Sequence, residues 1–334
     1  MELSQNILIT GGAGFIGHHI VEYLLKNTDH NIISLDRIDT SCTLGRLSQI
    51  LLENPEYRPR LKIVWHDLKS PINTHVTEEI GSVDYILHLA AGSHVDRSVK
   101  NPMGFVMDNI VGTVNLLEYA RHELAATLKI FLNFSTDEVY GPAIEGIKFK
   151  ENDRHNPCNP YSASKSAAEH MCNSYFTTYG VPVITTHTMN VYGIRQSNEK
   201  FIPLIINKVL NGEKIQIHTD EEGNVGSRKY LNAADVASAI LFLLEKGIVG
   251  EKYNIASDEE ISNLQLAATI AEIMGEALDY ELKYPKETRG KNDTRYSISG
   301  QKLRALGWRQ KIFLQDGLRE VVRWHTAHAM VGGR

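Results

Sequence analysis

The chain predicts an α/β fold: a doubly wound parallel sheet with a second, smaller α/β substrate domain. Three observations carry that expectation. Short apolar, β-branched runs alternate with longer stretches of helical apolar spacing through the first half. A glycine cluster stands between the first run and the first helical stretch. From about Asn190 the rhythm changes, and shorter runs mix with helices.

The candidate strands, in order, are Asn6–Thr10, Asn31–Asp36, Leu61–Trp65, Asp84–Ala90, Lys129–Ser135 and Val181–His187. Each is short, apolar and β-branched, the signature of a buried strand in a parallel sheet. Between them, Phe15–Leu25 and Phe105–Arg121 place apolar residues at helical spacing. Beyond Asn190 come strands Lys214–His218, Arg228–Leu231 and Lys252–Ala256 and a helix over Leu264–Met274, punctuated by Asp220-Glu221-Glu222-Gly223. The expected division puts residues 1–188 and about 229–257 in the first domain, and about 189–228 and 258–327 in the second. The tail after Trp324, ending Val331-Gly332-Gly333-Arg334, is expected to fray.

Composition narrows the function classes. With 334 residues, 42% of them hydrophobic and 22% charged, a large core is easily filled and global disorder is excluded. A formal net charge of −5 argues against a nucleic-acid partner. It leaves room for small phosphorylated ligands, which need only a few Arg residues and backbone amides. Three cysteines (Cys42, Cys158, Cys172) are too few and too scattered for a disulfide framework or a zinc site, which points to a reducing compartment. No apolar run reaches the roughly 18 residues of a membrane span. Met1-Glu2-Leu3-Ser4-Gln5 lacks the basic stretch of a signal peptide, so the expected location is cytoplasmic.

Thr10-Gly11-Gly12-Ala13-Gly14-Phe15-Ile16-Gly17 follows the first strand and opens the first helix. Glycines at 11, 14 and 17 allow a tight turn, close approach of a pyrophosphate and close helix–strand packing. The helix start adds amide donors and a favourable dipole. Asp36, 19 residues beyond Gly17, closes the second strand where an acid accepts adenosine ribose hydroxyls. A carboxylate there repels a 2′-phosphate, which favours NAD over NADP, although Arg37 beside it pulls the other way.

Tyr161 and Lys165 form a Tyr-x-x-x-Lys pair after Asn159-Pro160. Asn is a good N-cap and Pro suits the first turn, so a helix starts there with both side chains on one face. A cation one turn away eases a phenol toward phenolate. Ser135-Thr136-Asp137-Glu138-Val139-Tyr140-Gly141 ends an apolar strand at the sheet edge where open α/β folds bind ligands. The pair Asp137-Glu138 can supply one acid and one base. His122-Glu123 opens like a zinc-protease motif, but Ala126 stands where the second His is required. The other histidines show no ligand spacing, so no metal is expected. Arg228 and Arg289 are candidates to clamp a diphosphate.

With these residues in hand, the chain resembles the extended short-chain dehydrogenase/reductases, specifically the nucleoside-diphosphate-glucose 4,6-dehydratases acting on dTDP-glucose or UDP-glucose. The resemblance runs from about Asn6 to Trp324. Beyond the motifs above it includes Ser-His-Val-Asp-Arg-Ser at 93–98, Asn-Val-Tyr-Gly at 190–193, Glu-Lys-Phe-Ile-Pro at 199–203 and Tyr-Asn-Ile at 253–255. The Asp-Glu pair after Thr136 is the discriminating piece, because related epimerases and decarboxylases usually lack it.

The resemblance implies a Rossmann NAD domain and a three-step reaction. Tyr161, with Thr136 on the same oxygen, takes the proton of the sugar 4-hydroxyl as C4 is oxidised. Glu138 then removes the C5 proton while Asp137 protonates the departing 6-hydroxyl, and hydride returns to C6. It also implies that Asp67 and Leu68 lie near the adenine, Ala90 and Ala91 against the cofactor, and Lys165 on the nicotinamide ribose. Asn190, Arg228 and Arg289 would hold the substrate diphosphate and His218 the nucleobase, with His94 and Asn232 as further substrate contacts. A homodimer is implied, built on the helix from Tyr161 and the one over Phe105–Arg121. The broad apolar run Val114, Leu116, Leu117, Tyr119 and Ala120 fits a helix buried on two sides. Asn292-Asp293 matches the UDP-glucose type, while Gly290 replaces a usual Pro and His187 a usual Arg. Thymidine and uridine both stay open. The alternatives are a nucleotide-sugar 4-epimerase or decarboxylase, or a non-catalytic NAD sensor.

Overall fold

Continuous apolar runs belong to strands covered on both faces. In the computed structural model, which describes residues 4–37, 44–284 and 295–329, such runs build β1 (Asn6–Thr10), β2 (Asn31–Asp36), β3 (Leu61–Trp65), β4 (Tyr85–His88), β5 (Ile130–Thr136) and β6 (Val183–Thr188). Only β3, at the sheet edge, is largely uncovered. The intervening helices are α1 (Phe15–Asn27), α2 (Leu44–Glu53), α3 (Thr74–Ile80), α4 (Val95–Lys100), α5 (Pro102–Phe105), α6 (Gly112–Glu123) and α7 (Pro160–Tyr179). The chain continues through β7 (Asn190–Tyr192), α8 (Phe201–Leu210), β8 (Ile215–His218), β9 (Ser227–Asn232), α9 (Ala233–Lys246) and β10 (Lys252–Ile255). It ends with β11 (Glu260–Ser262), α10 (Asn263–Met274), β12 (Tyr280–Lys283), α11 (Gln301–Leu306) and α12 (Leu314–Ala329).

The large sheet is parallel throughout, in the order β10-β6-β5-β4-β1-β2-β3. Its order reverses between β1 and β4, which opens a crevice at the carboxyl ends of the strands. One face packs on α1 and α9 through Ile20, Val21, Leu24, Ile240 and Leu243. The other packs on α6 and α7 through Leu116, Leu117, Cys172 and Tyr175. Each fully buried aliphatic or aromatic side chain contributes about 1.5–3 kcal/mol. A separate core forms where Ile202, Ile205 and Ile206 meet Ile215, Ile217, Leu266 and Leu318. Over it lie two small sheets, β11-β9-β7 and β12-β8. Thus β9 belongs to a small sheet, while α9 and β10 return to the large one.

Three local expectations change. The strand expected over Asp84–Ala90 spans Tyr85–His88; beyond it Leu89 donates to the Thr10 carbonyl and Ala90 to the Thr10 side-chain hydroxyl, where the backbone ladder gives out. The helix expected over Phe105–Arg121 begins earlier and passes through π-helical turns at Val106–Val111 before α6. The tail after Trp324 stays helical to Ala329, and the Val331–Arg334 end lies outside the described residues. Among the described residues no helix is long and apolar enough to cross a membrane. The two described cysteines, exposed Cys158 and buried Cys172, are free, and Cys42 lies outside the described residues.

Candidate active site

The glycine loop owes its shape to missing side chains. Gly11 sits at φ +76, and a Cβ on Gly17 would stand 2.1 Å from the Gly11 carbonyl oxygen. A Cβ on Gly14 would crowd the same oxygen at 2.9 Å. Gly14 is the N-cap of α1 and has no side chain to satisfy the first-turn amides, which leaves them to an anion. Phe15 and Ile16 are half-buried in that first turn. Asp36 is buried, and its carboxylate accepts from the Ala13 amide at 3.1 Å and the Ser34 hydroxyl at 2.5 Å. Ala90 closes the cleft opposite: a Cβ on Gly11 would lie 3.0 Å from its Cα. Ala91 beside it is half-buried. Leu68 is buried and its carbonyl accepts from Asn115 at 2.7 Å, while Asp67 bonds Lys69 and Arg37. The loop, the acid closing β2 and the shallow Ala wall fit a dinucleotide.

At the other end of the crevice, β5 delivers Thr136 to a 3₁₀ turn, Asp137–Tyr140. Thr136 caps the turn by accepting from the Glu138 amide at 3.3 Å. Gly141 ends it at φ +78, where a Cβ would meet the Asn156 carbonyl oxygen at 2.4 Å. The turn is thereby pressed against the segment that leads into α7. That helix starts as its sequence demands: Asn159 caps it in a reciprocal box with Ser162, and Pro160 occupies the first turn. Asn159 has a second task, because its Nδ2 donates to Glu138 at 3.1 Å.

The electrostatics of this end run against ionisation. Burial, then the neighbouring Glu138, pushes the Asp137 carboxyl up to about 7, against the pull of Arg228 and Thr136. Burial and Glu138 also raise the Tyr161 phenol, opposed by its hydrogen bond with Thr136. The easing of the phenol expected from Lys165 is not the dominant effect here. Lys165 is itself buried, lowered to about 8 by desolvation, and donates to the Phe134 carbonyl at 2.7 Å.

The substrate-side candidates scatter more. Arg228 lies over the Tyr296 ring at 5.2 Å and its charge reaches Asp137. Asn190 is exposed and donates to the Lys229 carbonyl at 3.5 Å. His218 is exposed at the end of β8. His94 stands 3.9 Å from Glu199, and burial followed by Lys200 lowers its pKa. Asn232 is buried and spends its side-chain oxygen on capping α9 through the Ala234 amide. Arg289 lies outside the described residues, as do Gly290, Asn292 and Asp293.

Sequence spacing missed several groups. Lys200, whose ammonium feels both Glu199 and Glu138, was visible only as part of a motif with no role attached. Behind the turn, His187 Nε2 lies 2.9 Å and His155 Nε2 3.5 Å from the buried Glu169 carboxylate, with Lys252 Nζ at 2.8 Å as its counter-charge. Burial opposes ionisation of Glu169, but His187 and Lys252 hold it well below the usual carboxylate range. Tyr140 reaches this cluster through its hydroxyl, 3.1 Å from His187 Nδ1, and so ties the 3₁₀ turn to β6. These side chains come from five separate segments, so no spacing rule announces them.

The family described as GDP-mannose 4,6 dehydratase matches residues 8–321. The dTDP-glucose 4,6-dehydratase of Haemophilus influenzae is 36% identical over 96% of this chain and 98% of that protein. A trifunctional UDP-glucose 4,6-dehydratase/UDP-4-keto-6-deoxy-D-glucose 3,5-epimerase/UDP-4-keto-L-rhamnose-reductase of Arabidopsis thaliana is 39% identical over 96% of this chain. This chain spans about half of that plant relative, 47% of its length. Among solved structures, the dTDP-glucose 4,6-dehydratase of Bacillus anthracis in complex with NAD superposes with a TM-score of 0.86 at 32% identity, covering 98% of both chains.

Proposed function

The chain belongs to the extended short-chain dehydrogenase/reductases, in the GDP-mannose 4,6 dehydratase family, and on that premise we propose that it is an NAD-dependent nucleoside-diphosphate-glucose 4,6-dehydratase. The reaction is a hydro-lyase step: dTDP-glucose or UDP-glucose becomes the 4-keto-6-deoxy sugar plus water. One observation carries the reading. Asp137 and Glu138 stand side by side on one turn capped by Thr136, tied through Asn159 to the start of the helix that carries Tyr161, and burial raises the Asp137 carboxyl. An elimination needs an acid and a base in addition to the redox tyrosine. A simple 4-epimerisation needs neither.

Gly11, Gly14, Gly17, Asp36, Ala90 and Lys165 would hold NAD, which when bound supplies the acceptor and later the donor of one hydride. Tyr161, steadied by Thr136, takes the proton of the sugar 4-hydroxyl. The new 4-ketone acidifies C5–H, and Glu138, aimed by Asn159, removes that proton. Asp137, its carboxyl raised by burial and by Glu138, passes its proton to the 6-hydroxyl as the C6–O bond breaks and the C5–C6 double bond forms; saturation of that bond takes the returned hydride at C6 and the proton back from Glu138 at C5, which gives the 4-keto-6-deoxy sugar. Arg228 and Asn190, with Arg289, would hold the diphosphate in the domain built on the small sheets. Incubation with dTDP-glucose and with UDP-glucose, followed by mass analysis, tests the reading. Loss of one water supports it; an unchanged mass with an altered sugar makes the protein an epimerase, and no turnover favours the sensor.

A homodimer through α6 and α7 is part of the proposal, on changed grounds. Leu116, Leu117, Tyr119 and Ala120 are all buried within one chain, so the breadth of that stripe is accounted for without a partner. The support is instead the exposure of Val99, Met103, Met107 and Tyr179 along α4, α5, the π-helical turns and α7. Light scattering at micromolar concentration reads the state directly.

A further inference from the structure

We infer that Asp108 makes the cofactor site selective for NAD over its 2′-phosphorylated form, by occupying the guanidinium of Arg37; the inference rests on the NAD reading above. An Arg just beyond the acid that ends β2 is the residue type that accommodates a 2′-phosphate. Here Arg37 Nη1 and Nη2 donate to the two oxygens of Asp108 at 2.6 and 3.0 Å. That is the bidentate fork a phosphate would require, already filled by a carboxylate. Asp67 adds a third contact to Arg37 at 3.4 Å. Lys69 lies 3.2 Å from Asp67 and 4.0 Å from Asp108. Two cations and two acids leave this cluster without net charge, and Asp36 beside it makes the adenosine end negative.

The pairing is built in. Asp108 rides on the π-helical turns Val106–Val111, a geometry that concentrates at functional sites. Its neighbour Asn109 is buried, exchanges hydrogen bonds with both the amide and the carbonyl of Gly92, and donates to Ser164 at 2.8 Å. The segment is thus anchored immediately after Asp108. The Asp108 side chain is only 18% exposed, so the ion pair is shielded better than an ordinary surface pair. Asp36 accepts from Ala13 and Ser34, while the bidentate partner of Arg37 is Asp108.

The test equilibrates the purified protein with equal NAD⁺ and NADP⁺, removes free nucleotide by gel filtration, and quantifies what is retained by chromatography. The wild type should retain NAD almost alone. Asp108→Ala should raise the NADP share by about tenfold or more, the worth of one freed charge-assisted hydrogen bond. Adding Arg37→Ala to that variant should bring the share back down. Asp108→Asn, which keeps the shape and removes the charge, should move in the same direction and serves if the alanine variant does not fold. An unchanged NADP share in both Asp108 variants overturns the inference, as does a gain that survives Arg37→Ala. Equal retention by the wild type overturns it too. If the wild type retains neither nucleotide, the NAD reading itself is what fails.

Discussion

The two ends of the crevice carry the same residue types in opposite electrostatic states. At the end beside the glycine loop and Asp36, burial opposes ionisation of Asp67, but the amide and ammonium of Lys69 together with Arg37 overcome it and hold the carboxyl low. At the end formed by the Thr136–Tyr140 turn, Asp137 also has a cation within reach, Arg228, yet burial and Glu138 win and the carboxyl is raised to about 7. The difference is one of solvent and spacing. Asp67 is 38% exposed and hydrogen-bonded to its cation, whereas Asp137 is buried beside a like charge. One end fixes its charge; the other resists ionising.

The comparison breaks most visibly at Glu138. Glu138→Gln should leave oxidation at C4 intact and slow C5 deprotonation by roughly 10²–10⁴-fold. Exchange of the C5 hydrogen with solvent deuterium should slow in step, and exchange at the wild-type rate would move the base elsewhere. Next comes Asp137→Asn, with a loss of about 10²-fold or more as the general acid disappears. Wild-type turnover should fall as pH rises through about 7, where Asp137 loses its proton, and the variant should lack that limb.

The same substitution has a stability signature of opposite sign. A carboxyl whose folded pKa is raised from 3.8 to about 7 binds its proton more tightly folded than unfolded, so wild-type stability declines with rising pH across that window. Asp137→Asn should therefore melt close to wild type at pH 4 and gain on it progressively toward pH 7. A constant difference across the window would place Asp137 in an ordinary polar setting.

Asn159 separates folding from chemistry. Asn159→Ala should cost about 1 kcal/mol through the lost helix cap and also lower kcat by releasing Glu138. Asn159→Ser keeps a capping oxygen but has no amide to donate, so its melting temperature should recover while kcat does not. The smallest effect is expected at the far end. Lys69→Ala removes a solvent-screened pair and should change stability by no more than about 1 kcal/mol; a larger drop in melting temperature would mean that the two ends are less different than described.

What could be read in advance was local. Glycines 11, 14 and 17, the acid closing β2, and the Asn159-Pro160 start of α7 each obey rules that span a few residues, and all stand as expected. The small strands β7, β11 and β12 escaped because three or four half-exposed residues carry no periodicity. The Arg37–Asp108 clamp and the Glu169 cluster escaped because folding alone joins their segments. The apolar stripe of α6 misled for a related reason: a pattern reports how much surface is covered, not whether the cover comes from the same chain. Asn159 shows a further limit, since the cap that was foreseen concealed the hydrogen bond to Glu138.

The strand order has a consequence for biosynthesis. The large sheet is completed by β10, which pairs with β6 only after the chain has left to build β7, α8, β8 and β9 and has come back through α9. Until Lys252–Ile255 emerges, β6 is an open edge of fully buried residues, Val183 to Thr188, with unmet backbone donors and acceptors. The nascent protein therefore passes through a stage in which this buried strand edge is uncovered, and long-range parallel pairing of this kind forms slowly. A fragment ending after β6 carries every glycine of the loop together with Tyr161 and Lys165, yet keeps that sticky edge permanently. Insolubility of such a fragment would reflect the missing last strand and not any fault in the residues it contains.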